Sequence, residues 1–211
     1  MERKQREKKP AQGWQIILAS ASPRRRELLA LMGLTFQVMP SEKEEIITGD
    51  TPQEMVENLS RQKAEEVAGR MIHGSEPEVR ALVIGSDTIV VCGGRVMGKP
   101  RSKEDAFAML RSLQGSVHEV YTGVTIARVE DNKITYDTFS RKASVTVHEM
   151  DDGEIRDYIA KGESMDKAGA YGIQGSFAMF VEEIQGEYNT VLGLPVAALY
   201  QELKKVTGVC I

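Results

Sequence analysis

Four short stretches of this 211-residue chain place polar or ionisable groups where an apolar pattern breaks off. The first is Ser20-Ala21-Ser22-Pro23-Arg24-Arg25-Arg26. A strand-like run ends there and a helix begins, so free N–H groups and the positive end of the helix dipole favour an anion. Guanidinium suits phosphate because its planar fork donates two parallel bonds. The alternative is a capped helix with ordinary surface arginines, although three arginines oppose the dipole unless an anion is present. The second is Gly85-Ser86-Asp87-Thr88, an acid inside an apolar run. A buried carboxylate needs a cation, a metal or a hydrogen-bond network, so Asp87 is a candidate metal ligand or general base. The alternative is an Asp that turns the chain at a bulge beside Gly85.

The third stretch, Gly93 to Pro100, nearly matches the P-loop pattern G-x-x-x-x-G-K-[ST]. Pro100 stands where that loop needs a hydroxyl, and it disfavours helical geometry at Lys99, so the P-loop reading fails. Gly93-Gly94 is better read as a hairpin turn, with Lys99 left as a phosphate ligand. The fourth, Ser164 to Gly175, spaces Gly169, Gly172 and Gly175 three apart and carries Gln174, whose amide offers both a donor and an acceptor for a base edge. Lys63 falls one turn beyond Leu59 near the apolar face of a helix, where a lysine either snorkels outward or meets an anion. Glu42, Glu44 and Glu45 form an acidic run that can supply a metal ligand or a solvated loop. His73, His118 and His148 are scattered without zinc spacing, and no G-x-S-x-G elbow is present.

The elements that must position these groups follow from pattern. Residues 14–19 read as a buried strand, Ser22-Pro23 as the cap and first position of a helix, and residues 35–39 as a second strand. Thr51-Pro52-Gln53-Glu54 is a capping box opening a long helix. Ala81 to Cys92 reads as two apolar bursts around Gly85–Thr88, and a hairpin follows through Arg95–Met97. Ser102 with Asp105 caps a further helix. Two long strands, 117–129 and 134–147, meet at Asp131-Asn132, and a helix covers 151–160. A second hairpin is expected from 177–184 and 187–191 across Gln185-Gly186, before a last helix beginning at Leu194-Pro195. The alternation is irregular, with antiparallel pieces in the middle, which predicts an α/β fold with a mixed sheet and flanking helices.

Composition narrows the function classes. Hydrophobic residues make up 41% and charged residues 27%, enough to bury a proper core. No apolar run reaches the ~18 residues of a membrane span, so no membrane partner is expected. Two cysteines cannot build a disulfide framework, which points to a reducing, cytoplasmic setting. The net charge of −4 argues against nucleic acid as partner. Residues 1–13 carry five basic and two acidic side chains and no apolar stretch; they read as a disordered basic tail rather than a secretory signal, with residues 14–211 as one folded domain.

The stretches ASASPRRRELL (19–29), KEE (43–45), SRQKA (60–64), VIGSDTIV (83–90), GKP (98–100), YTGV (121–124), MDKAGAYGIQG (165–175) and VLGLP (191–195), in this order, resemble the Maf family of nucleoside triphosphate pyrophosphatases. The resemblance implies a two-lobed fold like that of inosine triphosphate pyrophosphatases, with the site in the cleft. It implies Mg²⁺-dependent cleavage, with Mn²⁺ or another divalent ion as substitute, between the α- and β-phosphates of a nucleoside triphosphate, and a homodimer. The long 165–175 segment is similar to the subgroup acting on dTTP and UTP rather than on 7-methyl-GTP. By the same resemblance Asp87 is the proton acceptor. Arg24, Thr88 and Gln174 bear on substrate choice, and Ser20, Arg25, Lys63 and Lys99 contact phosphate. Glu45 joins Asp87 at the metal. Ser86 and Gly98 depart from that subgroup, which usually has Ala and often Glu there. Two other classes remain: the same chemistry on a different nucleotide, or a nucleotide sensor acting on cell division.

Overall fold

A computed structural model describes residues 13–74 and 80–207. Most of the basic tail, part of the polar loop after the long helix, and Cys210 lie outside the described residues.

Strand β1 (Gln15–Leu18) leads through helix α1 (Pro23–Leu31) to β2 (Phe36–Val38). The chain then returns through α2 (Pro52–Gly74) to β3 (Ala81–Cys92) on the other side of β1. These three strands are parallel, in the order β2-β1-β3. The chain leaves β1 toward one neighbour and comes back to the other, so a crevice opens at the carboxyl end of β1. Beyond it, β4 (Arg95–Met97) pairs antiparallel with the end of β3, and α3 (Lys103–Leu113) follows. The antiparallel strands β5 (Val117–Glu130), β6 (Lys133–Val147) and β7 (Val181–Gln185) complete a seven-stranded mixed sheet. Helices α4 (Asp152–Ala160), α5 (Tyr188–Leu192) and α6 (Val196–Thr207) fill the remaining connections.

The expected mixed sheet with flanking helices is what forms, and the locally coded turns fall where the sequence puts them. Thr51 and Glu54 make both arms of their capping box. The β5–β6 turn holds Asp131 and Asn132 at φ 52° and 58°, the left-handed pair of a type I′ hairpin. One alternative and one expectation fail. Residues 81–92 are one continuous strand with unbroken register against β5, so Asp87 is not at a bulge. The second hairpin does not exist: Ser176–Phe180 is a 3₁₀ turn, β7 pairs with β6, and residues 188–192 are helical. Phe177 decides the first part, because it is fully buried and packs on Tyr171 and Tyr158 at ring-centroid distances of 4.6 and 5.1 Å. Gly193 decides the second: at φ 100° its N–H bonds back to Asn189 and Thr190 and closes α5 as a helix.

The two faces of β3 carry different cores. Leu82, Ile84 and Val90 join α1, α3, α4 and α6 residues in one large cluster, whereas Ala81 and Val83 pack with Ala64, Val67 and Ala68 of α2. Helix α2 lies unusually close to the sheet. A Cβ on Gly85 would sit 2.3 Å from Ser60 O, and one on Gly123 would sit 2.1 Å from Val56 O. Only glycine lets the helix backbone approach so near, and this seats Lys63 over the strand.

Candidate active site in the cleft beyond strand β1

Strand β3 runs past the end of β1: the last β1 pair is Leu18 with Ile84. The part of β3 beyond that pair therefore borders the crevice, with Asp87 to Val90 in its lining. Alternation then sends Asp87 toward α2 and Ser86 and Thr88 to the opposite face. The cleft has a volume of about 940 Å³, within the range of small-molecule sites. It is bounded by the start of α1, the segment around Glu45, Leu59 and Lys63, Gly98-Lys99, the 163–175 loop and residues 191–193.

On the α2 side, Lys63 is almost fully buried, and its ammonium donates to Asp87 Oδ1 at 2.5 Å. Its second carboxylate is Glu45 Oε1 at 3.1 Å. The choice between a snorkelling lysine and one that meets an anion falls to the anion. Unpaired, either charge would be costly here; together they offset each other's desolvation. Asp87 Oδ2 takes no hydrogen bond from a described residue, which leaves it for water or a metal ion.

On the other face, Arg25 reaches across the crevice. Its Nε donates to Gly193 O at 2.9 Å, Nη1 to Ser20 Oγ at 3.2 Å and Nη2 to Thr88 Oγ1 at 3.1 Å. Thr122 Oγ1 donates its one proton to Thr190 O at 2.7 Å, so in the 3.0 Å contact between the threonines Thr88 is the donor. The order of donation is thus fixed from Arg25 through Thr88 and Thr122 to Thr190. Ser86 Oγ completes the net, its single proton shared between Gly193 O at 2.9 Å and Gly123 O at 3.0 Å. Burial draws the Arg25 pKa down, and the carboxylates of Asp87 and Glu45 draw it back up. It stays charged in either case.

The other candidates occupy the rim. Arg24 faces Asp166 at 3.8 Å, while Arg26 is exposed and does not line the cleft. Lys99 and Gln174 line the cleft with exposed side chains and no hydrogen-bond or ion-pair partner among the described residues. Arg24, Arg25, Lys63, Lys99 and Lys167 are balanced by Glu27, Glu45, Asp87, Glu163 and Asp166. Placement rather than net charge must therefore accommodate an anion. Lys99 is the basic group in this set free to move onto a ligand without breaking a bond in the protein.

Several supporting groups have no role that the sequence assigns. Gly193 and Thr190 act through backbone carbonyls, which no side-chain pattern reveals. Thr122, within the YTGV stretch, was visible but without a role. Beneath the 168–175 loop, His118 Nε2 lies 2.7 Å from Tyr171 Oη, and burial pulls the His118 pKa down to about 4, so it stays neutral. Tyr158 Oη accepts from Gly172 N at 3.0 Å, and burial pushes its pKa up to about 12. These groups brace the loop that carries Gln174. Ala170, buried and held at φ 62°, shows that the loop is locked in a backbone geometry an L-residue rarely adopts.

No group of three metal-binding side chains exists among the described residues. Asp87 and Glu45 converge on one cation, however, and Mg²⁺ is commonly held by one or two carboxylates together with substrate phosphates. The donor set fits a divalent ion whose remaining ligands come with the substrate.

A family model described as Maf-like protein matches residues 15–206. A protein of Agathobacter rectalis named dTTP/UTP pyrophosphatase is 49% identical over 199 residues, covering 91% of this chain and 97% of the relative. Proteins of the same name from Lachnoclostridium phytofermentans and Pelotomaculum thermopropionicum are 45% and 47% identical, over 91% and 90% of this chain and 95% and 96% of the relatives.

Proposed function

Because the chain belongs to the Maf family, we propose that it is a nucleoside triphosphate pyrophosphatase that hydrolyses dTTP and UTP to the monophosphate and pyrophosphate. The observation that carries the reading is the convergence of Asp87, Lys63 and Glu45 on one wall of a crevice whose other wall is Arg25. Cleavage of a phosphoanhydride asks a protein mainly for positioning and for charge neutralisation, and this cleft provides both.

Asp87 Oδ2 accepts a proton from the attacking water as the water oxygen bonds to phosphorus and the α–β anhydride bond breaks, and pyrophosphate leaves. Arg25, pinned by Ser20, Thr88 and Gly193, offers a fixed cationic face to the phosphates. Lys99 closes on them from its rim, and Lys63 carries its charge to the same point beside Asp87. Asp87 and Glu45 would hold Mg²⁺, or Mn²⁺ in its place, which when bound supplies further neutralisation of phosphate charge. Arg24, Thr88 and Gln174 bear on substrate choice: Gln174 presents a free amide to the base, and Thr88 acts by setting Arg25.

The cytoplasm is the setting that two cysteines and a free-nucleotide substrate favour, with nucleotide-pool housecleaning of modified pyrimidine nucleotides as the role and a homodimer as the assembly. No helix among the described residues is long and apolar enough to cross a membrane. The test is a nucleotide panel with Mg²⁺, scoring pyrophosphate against orthophosphate. Pyrophosphate from dTTP and UTP is expected. Orthophosphate alone would overturn the reaction class, preference for 7-methyl-GTP would overturn the substrate, and tight binding without turnover would favour a sensor. Within that panel, Gln174→Ala should shift the kcat/KM ratio of dTTP to purine nucleotides about tenfold, the worth of one hydrogen bond to a base edge. An unchanged ratio counts against the reading role of Gln174.

A further inference from the structure

Helix α2 carries, beside its apolar face, polar residues four apart: Glu54, Asn58, Gln62, Glu66 and Arg70. That spacing keeps them on one side of the helix, and every one of them binds the segment 40–51 that precedes it. Glu54 Oε2 accepts from the N–H groups of Asp50 and Thr51 at 2.9 and 3.1 Å. Asn58 Nδ2 donates to Thr48 O and Oγ1 at 3.0 and 3.2 Å. Glu66 Oε2 accepts from Glu42 N at 3.3 Å, and Arg70 Nη2 donates to Pro40 O at 2.6 Å.

At the centre, Gln62 grips both polar groups of one backbone unit. Ile46 N donates to Gln62 Oε1 at 3.0 Å, and Gln62 Nε2 donates to Ile46 O at 2.7 Å. The next helix residue, Lys63, meets the preceding loop residue, Glu45. Two consecutive loop residues thus dock on two consecutive helix residues. The Glu45 side chain is 48% exposed, and Lys63 is its sole ion-pair partner among the described residues. An ion pair that exposed does little to hold a long side chain in one rotamer. Fixing the backbone at Ile46 removes most of that freedom.

We propose that Gln62 is the positioning residue for Glu45, holding its carboxylate beside Lys63 and Asp87 so that a divalent cation meets two carboxylates already in place. The proposal rests on reading the cleft as a metal-dependent nucleotide hydrolase. It assigns to Gln62 a share of cation affinity rather than of turnover.

The full chain with Gln62→Ala is compared with Asn58→Ala, which also removes two loop bonds but at Thr48. Mn²⁺ binding is titrated by EPR with a non-hydrolysable dTTP analogue present, and the Mg²⁺ dependence of pyrophosphate release is measured in parallel. Gln62→Ala should raise both the Mn²⁺ dissociation constant and the Mg²⁺ half-saturation about tenfold, with kcat at saturating Mg²⁺ falling less than about threefold. Asn58→Ala should shift the cation constants less than about twofold for a similar change in Tm. Adding Gln62→Ala to Glu45→Gln should have no further effect on cation binding. Gln62→Met, which removes the same bonds at similar length, replaces the alanine variant if that one does not fold. An unchanged Mn²⁺ constant in the Gln62 variants, or an equal shift in Asn58→Ala, overturns the proposal. Failure of the underlying reading would show separately, as wild-type protein releasing no pyrophosphate from any nucleotide.

Discussion

Asp87→Asn should lower kcat for pyrophosphate release by at least ~10²-fold while leaving the fold intact. Asparagine matches aspartate in shape, and its carbonyl can still accept from Lys63, so the strand and the α2 contact survive. What is lost is the charge and basicity of Oδ2, the oxygen left without a protein partner. Lys63 then keeps Glu45 as its remaining counter-ion, and the cleft gains one positive charge. Nucleotide binding should consequently persist or tighten while turnover collapses. The measurement is single-turnover pyrophosphate release beside equilibrium binding of dTTP. Near-wild-type turnover would remove Asp87 from the chemistry.

Gly123→Ala should destabilise the protein by roughly 3 kcal/mol, at the upper end of overpacking costs. For a chain of this size that is a fall in Tm of about 6–12 °C. The added methyl would stand 2.1 Å from Val56 O and 2.8 Å from Glu57 N, both backbone atoms of α2 that no rotamer change can move aside. Relief requires α2 to lift from β5. Gly123 lies directly opposite Asp87 in the sheet, so the same movement withdraws Lys63 from Asp87. Activity should fall below what the loss of folded protein explains. A differential-scanning melt read beside kcat of the folded fraction checks both parts. A Tm within about 2 °C of wild type would show that the helix is less tightly seated than its contacts indicate.

Much of this molecule is legible from sequence because it is locally coded. Caps at Ser22, Thr51, Ser102 and Asp151 each satisfy a backbone N–H three residues ahead, and all four open helices. The Asp131-Asn132 turn carries its own backbone preference. The same logic fails over 176–192, where an apolar run fits a strand, a 3₁₀ turn or a short helix equally well. There the outcome depends on whether Phe177 finds Tyr158 of α4 as well as the nearby Tyr171, and on the left-handed turn at Gly193. Asp87 could be singled out as a buried acid in need of a partner, yet nothing near it in the chain said whether that partner was a lysine, a metal or a turn.

Outside residues 176–192, the sequence by itself therefore determined the types of element and their order, together with the inventory of charged groups at the ends of β1 and within β3. The tertiary structure decided which of those groups face one another. Strand alternation separates Asp87 from Thr88 by one residue and puts them on opposite sides of the sheet. Close seating of α2 on Gly85 and Gly123 then gives Asp87 its lysine, and the turn at Gly193 gives Arg25 its anchor. Caps and turns are settled by bonds spanning three or four residues, which a linear reading can see. The Lys63–Asp87 and Arg25–Gly193 contacts span 24 and 168 residues, and only the packed sheet and helices bring their ends together.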